Sequence, residues 1–268
     1  MPPSSAAAIA IFIATYLGMA LGRLPGLRLD RPAIALVGAA LMVAVGAIPL
    51  ADALRAIDLD TLALLLGMMI VAAELRLAGF FDLVARWAMA RAHAPVSLLA
   101  AVVAASGILS AFLVNDTVCL VMAPLVIAVA EALRRRPLPY LLATAMAANV
   151  GSVTTITGNP QNMIVGIASR IPYSAFAAAL TPVAVAGLVV VFGAIALICR
   201  RDLGGDGGGP LDAPPGGAIA RGRLAVVVAV TVGVIALFLA GVPVAEAALI
   251  GGAVVLLTRS GASTALYR

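Results

Sequence analysis

The sequence predicts an all-α polytopic membrane protein, and three observations lead to that prediction. The 268 residues are 63% hydrophobic and only 11% charged, whereas roughly 25% of residues are charged in an ordinary soluble domain. Mean hydropathy is +1.16. Apolar runs of about 18–22 residues, each long enough for one membrane-spanning helix, alternate with short stretches that contain arginine. The charges are too few to coat a soluble core, so soluble enzymes and nucleic-acid-binding domains are excluded.

The first third of the chain predicts three membrane spans and one surface helix. The first span covers 5–22 and the second covers 33–50, with the arginine-bearing loop 23–32 between them. A third span covers 61–75. Residues 74–95 combine arginines with aromatic residues, which is typical of an amphipathic helix that lies on the membrane surface.

Two interrupted apolar segments follow. Residues 96–132 have basic residues on both flanks, so this segment enters and leaves on the same side of the membrane. Two spans and a re-entrant hairpin fit it equally well, and Asn115-Asp116-Thr117 lies near its middle. Residues 140–169 contain the polar stretch 149–162, and the apolar residues on either side of it are too few to span a bilayer alone. We therefore expect one crossing with an unwound centre, a broken helix.

The last elements are spans at 176–199, 224–241 and 244–258, with a linker rich in glycine, proline and arginine at 200–223. Cytoplasmic loops of membrane proteins carry an excess of basic residues. Placing 23–32, 76–95, 133–139, 200–223 and the residues after 258 in the cytoplasm leaves only Arg55 and Arg170 outside. This arrangement predicts an N-terminus outside the membrane.

A short internal similarity predicts a repeat. ALVGAALMV at 35–43 aligns with ALIGGAVVL at 248–256, 213 positions later. Inverted repeats are the common architecture of secondary transporters. We therefore expect a first repeat over 1–199 and the start of a second, incomplete repeat over 224–268.

The amide side chains are concentrated in one part of the chain. All four asparagines and the single glutamine fall between 115 and 162, in otherwise apolar sequence: Asn115, Asn149, Asn159, Gln161 and Asn162. Amides in hydrocarbon are unfavourable unless they find partners or line a water-filled cavity. This concentration is the first indication of a binding site.

Both interruptions predict new helix starts. Asn115, Asp116 and Thr117 are residues that cap helix N-termini, and Asn159-Pro160 is typical of a cap followed by proline at the first helical position. Two converging helix N-termini can hold an anion through N–H groups and dipoles, whereas unwound carbonyls and hydroxyls can hold Na⁺. Neither interruption contains an arginine, so neutral donors would bind the anion.

These segments resemble a known family. VNDTVCLVMAPLVIA together with ANVGSVTTITGNPQNMIVG is similar to the first half of the ion-transporter superfamily, which includes citrate-transporter-like permeases, arsenite permeases and divalent-anion:sodium symporters. The resemblance implies an elevator-type secondary transporter with a scaffold domain and a mobile transport domain. It also implies a hairpin tip at Asn115, Asp116 and Thr117. The broken helix would contribute Ser152, Thr154, Thr155, Thr157, Gly158, Asn159, Pro160 and Asn162 to a substrate and cation site.

The resemblance is weaker in two respects. The tip has Val114-Asn115-Asp116 where the dicarboxylate symporters have Ser-Asn-Thr. The tip of this chain is nearer to that of the arsenite and general anion permeases. The chain ends near the place where the third span of a second half would begin, so a truncated chain is expected. The alternative is an inert fragment or a half-transporter that needs a partner chain.

Asp116 is the one carboxylate that the sequence places within an interruption, and a charged carboxylate in a membrane is costly. It could be protonated, bind a cation or only cap its helix, and our hypothesis is that it carries the coupling proton. We expect Glu74, Glu131 and Glu246 to lie at the membrane interface instead.

An enzyme is not expected. The single His93 cannot build a serine-type intramembrane protease in its basic surface segment, nor a multi-histidine metal site. We therefore expect an anion transporter of a bacterial cell membrane, with no resident cofactor and with H⁺ or Na⁺ as the transported coupling ion. Its expected partners are a small anion, such as citrate, another carboxylate, arsenite or an inorganic anion, and the lipid bilayer. A homodimer stays open, and no nucleic-acid partner is expected.

Overall fold

The computed structural model describes residues 3–22, 29–90, 94–204 and 221–258, and these ranges contain α-helices and no strand. His93, residues 205–220 of the predicted linker and residues 259–268 of the predicted second repeat lie outside them. The chain divides into two compact units, Met1–Asp58 and Leu59–Arg268. The predicted all-α polytopic membrane fold is confirmed.

The first unit contains α1 (Pro3–Leu21), α2 (Arg31–Ala44) and the short α3 (Leu50–Arg55). The carboxylate of Asp30 caps α2 by accepting a bond from the Ala33 N–H at 3.0 Å. The predicted second span, 33–50, is too long. Gly46 adopts a φ of +69°, the left-handed conformation that ends a helix, so α2 has 14 residues.

The second unit begins with α4 (Leu59–Leu77) and α5 (Phe80–Ala90), which meet at a bend of 61°. Gly79, between them, has a φ of +83°. The helix predicted over 74–95 is therefore shorter, because α4 continues to Leu77. Helix α5 buries Phe81, Ala85, Ala88 and Met89, and it exposes Leu83 and Trp87.

The centre of the second unit is formed by α6 (Pro95–Phe112), α7 (Asn115–Ala132), α8 (Leu138–Ser152) and α10 (Tyr173–Ile198). Helices α6, α7 and α10 all pack against α8. A 3₁₀ turn (Ile156–Gly158) and α9 (Pro160–Ser169) follow α8 and complete the broken crossing.

The second unit ends with α11 (Arg200–Leu203), α12 (Arg221–Leu239) and α13 (Val244–Leu257). The predicted linker, 200–223, is therefore helical at both ends. Helix α13 packs closely on α4, where Gly67 lies against the backbone of Ala248. Among the described residues, helices α6, α7, α10 and α12 are long and apolar enough to cross a membrane, and α4 and α5 add a fifth span if the bent pair crosses as one.

The helix boundaries are consistent with the predicted repeat. Helices α2 and α13 each have 14 residues, and Arg31 and Val244, at which they begin, are separated by the 213 positions of the sequence alignment. The repeat boundary at 199 does not coincide with the boundary between the compact units. The repeat stays a prediction.

Glu74 is buried within the protein and is paired with an arginine from a distant helix. Its side chain is only 1% exposed, and its carboxylate forms an ion pair with Arg223 at the start of α12. Unpaired charges are excluded from protein interiors by the cost of desolvation, so this distant arginine makes the burial of Glu74 tolerable. The pair links α4 to α12.

Replacing Glu74 with glutamine is expected to lower the free energy of unfolding by about 2 kcal/mol, less than the 3–5 kcal/mol typical when one member of a fully buried pair is removed. The loss is smaller because Arg223 is 29% exposed, so water can solvate its charge when Glu74 is replaced. Thermal unfolding in detergent measures the effect. Asp52→Asn, which removes an exposed ion pair with Arg55, is the control and should change the stability by less than about 0.5 kcal/mol. Equal melting of the two variants would contradict the prediction.

Candidate functional site

The hairpin tip lies between α6 and α7. Leu113 and Val114 are extended, and α7 starts at Asn115 with Val114 in the capping position and no side-chain cap. Asn115, Asp116 and Thr117 therefore occupy the first helical turn, whereas their residue types had suggested the capping position. The first intrahelical bond runs from the Val118 N–H to the Val114 carbonyl at 3.1 Å. The earlier N–H groups of this turn have no partner within the helix.

The break in the second segment follows the local rules of helix ends. Helix α8 ends at Ser152, and Asn159 caps α9 by accepting the Asn162 N–H on its side-chain oxygen at 2.8 Å. Pro160 is the first helical residue, where its missing N–H carries no penalty. The polar interval thus contains a helix C-terminus and a helix N-terminus.

Two asparagine side chains hold these helix ends together, and we call them the amide clip (Asn159 and Asn162). The Asn159 Nδ2 donates to the Ser152 hydroxyl at 3.0 Å and lies 3.3 Å from the Ser152 carbonyl. The Asn162 Nδ2 lies 3.1 Å from the carbonyl oxygen of Ser152, 3.2 Å from that of Val153 and 2.9 Å from that of Thr155. The end of α8 is therefore satisfied by side chains of α9.

Hydrogen bonds join the hairpin tip to the helix break. The Asn115 Nδ2 donates to the Asn149 Oδ1 at 3.1 Å, and the Ser110 hydroxyl donates to the Ala148 carbonyl at 2.6 Å. The Thr155 hydroxyl donates to the carbonyl of Ala111. These three bonds tie the hairpin to α8 and the unwound segment.

Between the tip and the break lies a pocket of about 580 Å³. All five amide side chains of the chain line it, together with two further polar residues and three apolar ones: Asn115, Asn149, Asn159, Gln161 and Asn162; Asp116 and Ser152; Val150, Val153 and Pro160. Among these residues Asp116 alone is ionisable. The sequence concentration of amides thus corresponds to one place in the fold.

Five of the eleven predicted site residues do not line this pocket. Thr155, Thr157 and Gly158 are buried behind it, while Thr117 and Thr154 are half-buried. Thr157 lies between two hydroxyl groups, with oxygen distances of 3.2 Å to Thr155 and 3.0 Å to Tyr173 at the start of α10. This buried chain supports the wall of the pocket. Asp116 is exposed at the pocket.

Three residues near the site were absent from the predicted set. Asn149 and Gln161 line the pocket, and their amide type in apolar sequence was the signal that could have placed them there. Tyr173 lies 16 positions after Thr157 in sequence, and no local pattern connects the two.

A second pocket, of about 620 Å³, lies elsewhere in the second unit, and its polar side chains include Asp60, Arg170, Tyr173 and Glu246. None of the predicted site residues lines it. Asp60 and Glu246 are exposed.

A family model described as citrate transporter matches residues 9–266. The chain is 36% identical over 164 residues to a silicon efflux transporter of Oryza sativa subsp. japonica, which covers 61% of this chain and 34% of that protein. It is 33% identical over 201 residues to an uncharacterized transporter of Mycobacterium tuberculosis, covering 73% of this chain and 45% of that one.

It is also 31% identical over 166 residues to a transporter named arsB of Dictyostelium discoideum, covering 62% of this chain and 29% of that protein. The chain thus spans less than half the length of these relatives. The family match extends over nearly all of the sequence and includes the hairpin tip, the amide clip and the pocket between them. The chain belongs to the citrate transporter family.

Proposed function

We propose that the chain acts as a secondary active transporter that moves a small anion across the membrane, coupled to H⁺ or Na⁺. The observation that carries this proposal is the pocket into which the fold brings every amide of the chain, between a helix that starts at Asn115 and another that starts at Pro160. Family membership supports a transporter and not an enzyme. On this basis we assign the predicted site residues between Asn115 and Asn162 to substrate binding.

The pocket can hold an anion without a buried cation. The N-termini of α7 and α9 carry partial positive charge from the helix dipole. In α7 the N–H groups of the first turn before Val118 have no partner within the helix and are available to a ligand. In α9 Pro160 has no N–H and the Asn162 N–H is bonded to the Asn159 side chain, which leaves the Gln161 N–H for a ligand. Asn149 and Gln161 are exposed at the pocket and add neutral donors. Neutral donors bind more weakly than arginine does, which suits a substrate that must be released on the other side.

The charge of the lining restricts the substrate. Asp116, the ionisable side chain among the lining residues, is acidic and repels a multiply charged anion. An inorganic oxyanion or oxyacid of low charge therefore fits better than the citrate trianion. The relative named a silicon efflux transporter supports the same class.

The broken crossing supports a placement of the pocket inside the membrane. The hairpin tip bonds to the end of α8, and the ten-residue α9 continues beyond it for about 15 Å. A re-entrant hairpin that stops short of the far end of the crossing fits this arrangement, although α6 and α7 are each long enough to cross the membrane. With arginine-rich loops in the cytoplasm, the hairpin enters from the cytoplasmic side of a bacterial cell membrane and the N-terminus lies outside. We propose no resident cofactor. A homodimer is one arrangement that the oligomeric state in detergent would test.

Uptake into proteoliposomes tests the proposal. Vesicles that contain the purified chain are given an inward H⁺ or Na⁺ gradient, and accumulation of arsenite, silicate and citrate is compared with that in protein-free vesicles. We expect accumulation of an inorganic oxyanion under at least one gradient, and less of citrate. Accumulation of none of these compounds, together with the absence of any ligand-induced rise in melting temperature, would overturn the proposal.

Replacing Asp116 with asparagine is expected to abolish accumulation driven by a proton gradient while leaving downhill movement of the anion. The variant keeps the side-chain size but cannot take up and release a proton. Asp82→Asn, which alters another first-turn acid on α5, is the matched control and should behave like the unmodified protein. If Asp116→Asn still concentrates the anion against its gradient, Asp116 does not carry the proton.

A further inference from the structure

The carbonyl groups at the end of α8 face a side-chain nitrogen. The last carbonyls of a helix lack intrahelical partners and form the negative end of its dipole. In this chain the carbonyl oxygens of Ser152 and Val153 at the end of α8, and that of Thr155 in the unwound segment, converge on the Asn162 Nδ2 at 2.9–3.2 Å. The Thr155 carbonyl also accepts the Gly158 N–H at 3.3 Å. Three acceptors thus surround one nitrogen.

This arrangement differs from an ordinary amide hydrogen bond. An asparagine NH₂ group has two hydrogens to donate, so three close carbonyls exceed its capacity. Converging backbone carbonyls are instead the environment in which ion channels replace the hydration shell of a monovalent cation, and unwound carbonyls at half-helix ends hold cations in transporters. The amide NH₂ group, whose two hydrogens carry partial positive charge, occupies the place of such an ion.

The amide is held firmly in this position. The backbone N–H of Asn162 is bonded to the Asn159 Oδ1 at 2.8 Å, and the Asn159 Nδ2 reaches the Ser152 hydroxyl at 3.0 Å. The donors are therefore fixed by the first turn of α9 and need no rearrangement to meet the carbonyls.

We propose that the Asn162 side chain is a tethered substitute for a monovalent cation, so that the broken helix is closed without bound Na⁺. The cation that would otherwise bind at the end of α8 is excluded by the amide clip. This inference rests on the proposed transport function in one respect. If the end of α8 binds no Na⁺, the proton is left as the coupling ion of the proposed transport.

Cation-dependent melting tests the proposal on the purified full chain. Unmodified protein, Asn162→Ala and Asn162→Asp are unfolded thermally in detergent with NaCl, KCl or choline chloride at equal ionic strength. Asn115→Ala is the matched control, since it removes an amide from the same pocket that does not contact these carbonyls. Asn162→Asp keeps the side-chain size and offers a cation ligand, so it remains informative if Asn162→Ala does not fold.

We expect the melting temperature of the unmodified protein and of Asn115→Ala to be the same in all three salts. For Asn162→Asp, and for Asn162→Ala where it folds, Na⁺ or K⁺ should raise the melting temperature by about 5–10 °C over choline, the shift that a saturating ligand produces in a chain of this size. A cation-dependent unmodified protein, or Asn162 variants that ignore all cations, would overturn the inference. Melting is measured without substrate, so a failure of transport alone would overturn the proposed function and leave this inference standing.

Discussion

Alanine at position 158 is expected to abolish transport and to destabilise the protein. A Cβ atom on Gly158 would lie 2.0 Å from the carbonyl oxygen of Ser152 and 2.7 Å from its Cα, so the backbone itself must move. That carbonyl accepts from both asparagines of the amide clip, and displacing it separates α8 from α9. We expect a loss of about 3 kcal/mol in the free energy of unfolding, at the upper end for overpacking.

Transport should fall further than stability alone explains. A displacement of about 1 Å in an aligned site lowers activity by about 100-fold. Uptake by folded Gly158→Ala in proteoliposomes, at about 20 °C so that the variant stays folded, would measure this loss. Melting in detergent gives the stability.

Two other glycines provide graded controls. A Cβ at Gly166 would meet only side-chain atoms of Ile156, at 2.8–2.9 Å, and one at Gly193 would meet nothing within 4 Å. Gly166→Ala should therefore have a smaller effect, because a side chain can rotate. Gly193→Ala should be neutral or stabilise α10 by up to about 1 kcal/mol. Melting of Gly158→Ala at the temperature of Gly193→Ala would show that the break accommodates a side chain.

Much of the site was predictable because it obeys local rules. Asparagine before proline predicts a helix start from residues that are adjacent in sequence, and Asn159 and Pro160 form that start. Amides avoid hydrocarbon whatever the fold, so their concentration between 115 and 162 indicated a site before any contact was known. Chemical type and near neighbours were sufficient for these inferences.

What the sequence did not predict is the environment of residues whose neighbours come from distant parts of the chain. Glu74 was assigned to the interface beside Arg76, but its partner is Arg223, 149 positions away. Capping was one of three roles left open for Asp116, and α7 starts at Asn115 with Val114 in the capping position, which leaves Asp116 exposed at the pocket. Helix periodicity does not determine which helix lies opposite a given face, and that neighbour decides burial.

Alanine at position 151 should separate the hairpin from the broken helix. A Cβ on Gly151 would lie 2.2 Å from the carbonyl oxygen of Gly107 and 2.5 Å from its Cα, where α6 and α8 cross with their backbones nearly in contact. Small residues at such crossings permit close packing of membrane helices. The bonds from Ser110 to Ala148 and from Asn115 to Asn149 lie beside this crossing. We expect both to lengthen and the free energy of unfolding to fall by about 3 kcal/mol.

Anion binding by Gly151→Ala should weaken, because the α7 N-terminus moves away from the α9 N-terminus and each then acts alone. The rise in melting temperature on addition of the oxyanion, compared with that of Gly193→Ala, measures the loss. An unchanged rise would mean that the hairpin tip does not contribute to the site.

The two glycine substitutions differ in what they leave intact. Gly151→Ala acts between α6 and α8, and the amide clip lies wholly within 152–162, so its melting should remain independent of the cation. Gly158→Ala displaces the Ser152 carbonyl from the Asn162 amide and frees an acceptor at the end of α8. Its melting temperature should therefore rise in Na⁺ or K⁺ over choline. If both variants responded to cations alike, the hairpin, and not the amide clip alone, would be what closes the break.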